Sequence, residues 1–114
     1  MTTPEDGYRL RIFIGESDKH GHRALYEAVV LRAREAGLAG ATVLRGVMGF
    51  GKHGVLHTAK ILRLSEDLPM VVEIVDTLEK IEHFLPVPDE MISDGLVTLE
   101  KVRVIQYRAR PGRS

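Results

Sequence analysis

The chain of 114 residues contains no cysteine. Disulfides, thiol nucleophiles and cysteine-ligated metals are therefore excluded. It has no tryptophan either, and aromatics make up only 5% of it, none interleaved with basic residues as a base-stacking surface would be. Excess charge is also missing, since 16 Lys and Arg balance 16 Asp and Glu. A neutral chain is not built to coat nucleic acid or an anionic membrane. No apolar run approaches the roughly 20 residues of a membrane span. The opening MTTPEDGY is polar and is not the pattern of a secretory signal. These absences leave the expectation of one cytoplasmic domain with a small core.

Glycine, by contrast, is concentrated. Residues 41–58, ATVLRGVMGFGKHGVLHT, begin as a strand at Thr42, Val43 and Leu44. They then meet Gly46, Gly49, Gly51 and Gly54, with Lys52, His53 and His57 set among or just beyond them. Glycine lets another group approach the backbone closely. Successive free N–H groups beside a lysine make an anion cradle. Two formal motif matches fail. Residues 49–54 fit G-x-G-x-x-G, but no helix start follows, as a dinucleotide fold requires. Residues 46–52 fit G-x-x-x-x-G-K, but His53 stands where a P-loop needs Ser or Thr for magnesium. What survives is a flexible, basic, glycine-rich hairpin, expected to be mobile over residues 50–58. The plain alternative is a β-hairpin with a mobile tip.

Taken in order, residues 1–7 read as a loose N-terminus. Residues 8–14 alternate, Leu10, Ile12 and Ile14 facing one way and Arg9, Arg11 and Phe13 the other. Residues 22–36 turn helical, with Ser17 or Asp18 as cap and Gly37 as the stop. Residues 60–64 read as a returning strand arm and 65–67 as a turn. Residues 69–75 form a strand apolar on both faces, through Met70, Val72 and Ile74 on one and Val71 and Val75 on the other. Asp76 and Glu79 suggest a capping box opening a helix that Pro86 and Pro88 end. Residues 89–95 read as a loop with one turn near Met91, and 96–107 as a last strand. Residues 108–114 are a basic tail. The order β-α-β-β-α-β predicts an α+β, ferredoxin-like antiparallel sheet over residues 8–107 with both helices on one face. Two helices leave the other face apolar and uncovered, which predicts a homo-oligomer.

Three stretches carry a family resemblance: GLAGATVLRGVMGFG at 37–51, LPMVVEIVDTLEKIEHFL at 68–85 and DGLVTLEKVRVIQY at 94–107. They resemble the PII-like signalling superfamily, closest to its uncharacterised branch, the domain-of-unknown-function family one-ninety. The resemblance implies a ferredoxin-like homotrimer that binds an adenine nucleotide between subunits. It also implies that a flexible hairpin loop engages a partner, commonly a membrane transporter or an enzyme. Members of this branch are often encoded beside fluoride or cation transporters, which points to an ion transporter as partner class. On that likeness Thr42 lies near the base, and Gly49, Gly51 and Lys52 lie near the phosphates. Asp94 and Gly95 belong to the loop that closes the pocket. Arg103 and Arg108 add positive potential.

The departures from the pattern carry information. Thr42 to Gly49 is longer by one residue than in PII proteins proper, which implies a bulge or changed register. Leu96 stands where those proteins carry a phosphate-gripping lysine. Their two C-terminal arginines align with Val104 and Gln106. No tyrosine lies between Phe50 and Leu68, which argues against control by nucleotidylation. These changes favour AMP or ADP over a dependence on ATP.

The five histidines, His20, His22, His53, His57 and His83, form the competing reading, a small metal-handling trimer or enzyme using the loop histidines. Without cysteine or fixed ligand spacing they read first as exposed loop side chains. No grouping of acid, base and nucleophile is apparent beside the glycine loop, so the expectation is a non-catalytic protein without a resident cofactor or metal. A thermal-shift screen against AMP, ADP, ATP and divalent metals separates the two readings. A ligand at 100 times its Kd that binds only the folded state adds about 2.7 kcal/mol.

Overall fold

The computed structural model describes residues 5–59 and 67–111. Four strands form one antiparallel sheet: β1 (Glu5–Gly15), β2 (Thr42–Arg45), β3 (Pro69–Asp76) and β4 (Leu96–Val104). Their spatial order is β2-β3-β1-β4. The helix α1 (Leu25–Glu35) joins β1 to β2, while α2 (Leu78–Phe84) and α3 (Pro86–Met91) join β3 to β4. This is the expected ferredoxin-like α+β fold.

The central pair sets the sheet. Tyr8 lies opposite Asp76, and the register runs unbroken to Gly15 opposite Pro69. The alternation of both strands then puts Leu10, Ile12 and Ile14 beside Met70, Val72 and Ile74 on one face, and all six are buried. Leu25, Val29 and Ala33 of α1 and Ile81 and Phe84 of α2 close over them. Burying side chains of this size stabilises by about 1.5–3 kcal/mol each. The other face, with Arg9, Arg11, Phe13, Val71, Glu73 and Val75, carries no helix and stays partly exposed.

Local chemistry moves several boundaries from their expected places. The first strand begins at Glu5, inside the segment expected to be loose. A two-residue ribbon, Lys19–His20 against Arg23–Ala24, occupies the expected start of α1. Neither Ser17 nor Asp18 caps that helix by its side chain. The Asp18 carboxylate turns back to accept from Gly15 N at 2.8 Å, and its carbonyl accepts from Leu25 N. Gly37 does stop α1, at φ +77°, with Leu38 N donating to Ala33 O and Gly37 N to Arg34 O. In α2 the cap is Thr77, whose hydroxyl accepts from Lys80 N, one residue later than the expected Asp76. Pro86 ends α2 but also opens α3, because proline suits a first helical turn. Strand β4 stops at Val104 rather than 107. The returning arm expected at 60–64 and most of the turn expected at 65–67 lie outside the described residues.

Asp76 is displaced from capping to a more consequential place. Its side chain is buried, accepting from Ala39 N at 2.8 Å and from Thr77 N at 2.7 Å. It ties the linker before β2 to the start of α2. Asp76→Ala is expected to leave these N–H groups unpaired and to lower stability by about 1–3 kcal/mol, measured by urea unfolding. A change below a few tenths would contradict this role.

Candidate functional site

The helix-free sheet face is built in rows, because antiparallel partners stand side by side. Leu44, Val71, Phe13 and Leu96 make one row across all four strands. Thr42, Glu73, Arg11 and Thr98 make the next, and Val75, Arg9 and Glu100 the third. The middle rows hold a charge ladder. Arg11 Nε donates to Glu73 Oε2 at 2.8 Å, and Arg9 Nε donates to Glu100 Oε1 at 2.8 Å. Hydrogen bonding from Arg9 holds the Glu100 carboxyl below the usual carboxylate range. The stabilising effect of that pair is present above the ordinary range and lost as pH falls through the lowered pKa. Glu100 is exposed, so solvent and salt weaken the pair. Lys101, on the helix-bearing side, is raised by its hydrogen bond to Asp6.

At one end of this face sits the glycine segment. Gly46 N donates to Pro69 O at 2.7 Å, which ends β2 against the start of β3. Met48–Gly49 then pairs with His57–Thr58 as a small ribbon instead of continuing along β3. This break falls between Thr42 and Gly49. It also places β pairing at residues 57 and 58, where the sequence pattern shows none. A Cβ on Gly49 would lie 2.9 Å from Pro69 Cγ, so close packing favours glycine there. Gly51 has open space around it, and the positive φ of the loop falls at Gly54, +72°. Among the described residues, the N–H groups of Gly51, Lys52 and His53 have no acceptor, and the Lys52 ammonium has no ion pair.

The same end receives the turn before β4. His53 Nε2 and Asp94 Oδ2 are 2.9 Å apart, which brings the loop and the Asp94–Gly95 turn together. At Gly95 a Cβ would lie 2.7 Å from Phe13 O, so no larger residue fits without moving the backbone. Gly49, Gly51, Lys52, Asp94 and Gly95 thus belong to one region of the fold.

Thr42 does not join them. It lines a second region, a cleft of about 370 Å³ walled by residues 39–42 with Glu73, Val75, Val104, Gln106 and Tyr107. The chain leaves β4 at one sheet edge and reaches the other edge, where Tyr107 Oη donates to Ala39 O at 2.7 Å. Arg108 follows Tyr107 and is exposed. Arg103 stands opposite Asp6 in register and shares the helix-bearing side with Lys101, facing away from this cleft. Sequence reasoning missed Glu73, Val75 and Tyr107 as cleft residues. The resemblance names Thr42, and the alignment of Val104 and Gln106 with the two C-terminal arginines of PII proteins points to the same end. A larger cleft of about 600 Å³ lies between α2, α3 and the start of β4. Its charged lining is Glu82 and Asp89, which repels phosphate.

The histidines do not converge. His20 and His22 are exposed, His83 lies on α2, and His57 sits in the ribbon. Among the described residues no group of three His, Asp or Glu is placed to hold a metal. No helix among them is long and apolar enough to cross a membrane.

Residues 7–104 match the DUF190 family, described as "Uncharacterized ACR, COG1993". A UPF0166 protein of Aquifex aeolicus (strain VF5) is 43% identical over 98 residues, covering 84% of this chain and 90% of that protein. UPF0166 protein MJ1524 of Methanocaldococcus jannaschii is 35% identical over 96 residues, covering 83% and 88%. Among solved structures, a PII-like signaling protein from Thermus thermophilus superposes with TM-score 0.65 at 16% identity, over 91% of this chain and 94% of that one. CPII, a nitrogen regulatory PII-like protein from Thiomonas intermedia K12 bound to ADP, AMP and bicarbonate, gives 0.64 at 17% identity, over 90% and 98%. Sequence and fold agree: the fold is shared with PII-like proteins, and the chain belongs to the DUF190 family.

Proposed function

We propose that this protein is a non-catalytic, homotrimeric regulator that binds an adenine nucleotide between subunits. It would signal to a protein partner through the loop between β2 and β3. An ion transporter is the partner class that the family resemblance points to. The observation that carries the proposal is the separation of the two regions. The cleft at Thr42 and the basic glycine segment lie towards opposite ends of one uncovered sheet face. A head-to-tail ring of copies joins unlike ends of neighbouring subunits. Such packing sets one copy's cleft against another copy's loop, so that base and phosphates are held by different chains.

The chemistry of each end suits its part. Small and apolar walls at Ala41, Val75 and Val104 suit a flat base, with Thr42 at the rim. Free N–H groups at Gly51, Lys52 and His53, with the Lys52 ammonium, suit phosphate oxygens. Asp94 and Gly95 close that end. Arg108, and Arg103 from the far side of the sheet, add positive potential. The Leu44–Val71–Phe13–Leu96 row supplies apolar surface for the contact between copies. A structural neighbour bound to ADP and AMP supports the ligand class. Leu96, in place of a lysine, argues against a strong preference for ATP.

Two experiments test this reading. Val71→Asp puts an unpaired charge into the apolar row, and the assembly is expected to weaken or dissociate in sedimentation. An oligomer of unchanged stability would rule out this packing. By calorimetry, AMP or ADP is expected to bind, with affinity falling as salt rises. Lys52→Ala is expected to weaken binding through lost charge, and Gly51→Val by blocking backbone approach. Space around Gly51 is open, so the second variant should fold normally. Absence of heat with any adenine nucleotide at millimolar ligand and low salt would reject the proposal.

A further inference from the structure

The cleft at the start of β2 contains two polar side chains, Thr42 and Gln106, with no hydrogen-bond partner among the described residues. Glu73 is held by Arg11, and the Tyr107 hydroxyl is taken up by Ala39 O. Gln106 also lines the cleft, and its carboxamide has no hydrogen-bond partner among the described residues. We infer that Gln106 reads the base and selects adenine over guanine, an inference that rests on the nucleotide reading above.

The selection follows from donor and acceptor geometry. A carboxamide presents an oxygen acceptor and an N–H donor side by side in one plane. Adenine presents N6–H as donor next to N7 as acceptor, so both bonds form together. Guanine presents O6 and N7, both acceptors, and the carboxamide oxygen then faces another oxygen. The walls at Ala41, Val75 and Val104 contact a base without distinguishing its edges, and the Thr42 hydroxyl, which can donate or accept, bonds either base, which leaves the choice to the amide.

Gln106 is useful in this role only if its backbone is fixed, and the neighbouring residue fixes it. Tyr107 donates to Ala39 O at 2.7 Å, while Ala39 N donates to Asp76 Oδ2 at 2.8 Å. The Ala39 residue is thereby gripped from both sides. The inner grip is a buried carboxylate at the start of α2, part of the rigid core layer. Without these bonds, the described residues beyond Val104 have no strand partner to hold them. Tyr107 and Asp76 are therefore positioning residues for Gln106.

The test is titration of the full chain with ADP and with GDP at one fixed salt concentration, for wild type and variants. Gln106→Leu keeps the bulk and removes the amide. It is expected to lower the ADP-to-GDP affinity ratio by about tenfold, the scale of one bidentate base contact. Its thermal midpoint should match wild type, because Gln106 is exposed. If Leu impairs folding, Gln106→Ala repeats the measurement. Tyr107→Phe is expected to move the ratio in the same direction with Gln106 intact. In the Gln106→Leu background it should move it no further, a coupling that a purely structural effect would not show. Wild-type binding of ADP with an unchanged ratio in the Gln106 variants would overturn this inference and leave the nucleotide reading standing. Failure of the wild type to bind any adenine nucleotide would overturn both.

Discussion

The pairing of β1 with β3, from Tyr8 opposite Asp76 to Gly15 opposite Pro69, fixes the phase of the whole sheet. Side chains alternate along a strand, so a slip of one residue would exchange the two faces completely. The pairing as it stands places six aliphatic side chains under the helices. It places a mixture of charged and apolar ones on the opposite side. The slipped alternative would bury Arg9, Arg11 and Glu73 beneath the helices. The cost of burying such charges without full pairing secures the register.

That phase determines the pattern of the open face. Arg11 and Glu73 meet across the central pair, and Arg9 meets Glu100 across the edge pair. The apolar row at Leu44 and Leu96 is displaced to one end, next to the glycine loop. The face is neither a plain solvated surface nor a plain hydrophobic one. Charged rows in register orient a contact more than they strengthen it, since exposed ion pairs contribute little. Under the proposed assembly the apolar row supplies affinity and the ladder fixes alignment.

The two ends of this face are controlled by different devices. At the loop end, Gly46 N donates to Pro69 O and turns the chain off the sheet, and the N–H groups of Gly51, Lys52 and His53 have no acceptor among the described residues. At the cleft end, Asp76 and Tyr107 clamp Ala39 from both sides. One end is open backbone and the other a fixed wall, the two kinds of surface that the proposed nucleotide binding would use. A pre-shaped cavity reduces the ordering cost of binding.

The amino-acid sequence by itself determined the α+β class, the two faces of β1 and β3, the Gly37 stop and the basic glycine segment. Each depends on local periodicity or on the backbone freedom of one residue, which neighbouring residues reveal. It also determined the family, through stretches at 37–51, 68–85 and 94–107. It misplaced the cap at Asp76, because a carboxylate before a helix looks the same whether it caps or reaches back to Ala39. It read Pro86 only as a terminator, although the same fixed φ opens α3. The approach of His53 to Asp94, 41 residues apart, was decided by tertiary structure alone. So was the 68-residue reach from Tyr107 to Ala39. Periodicity reports which face a residue takes, but contacts across the sheet depend on strand order and on where the chain leaves each edge. That is why the glycine segment and Thr42 could be named from the sequence, while the cleft walls at Glu73, Val75 and Tyr107 could not.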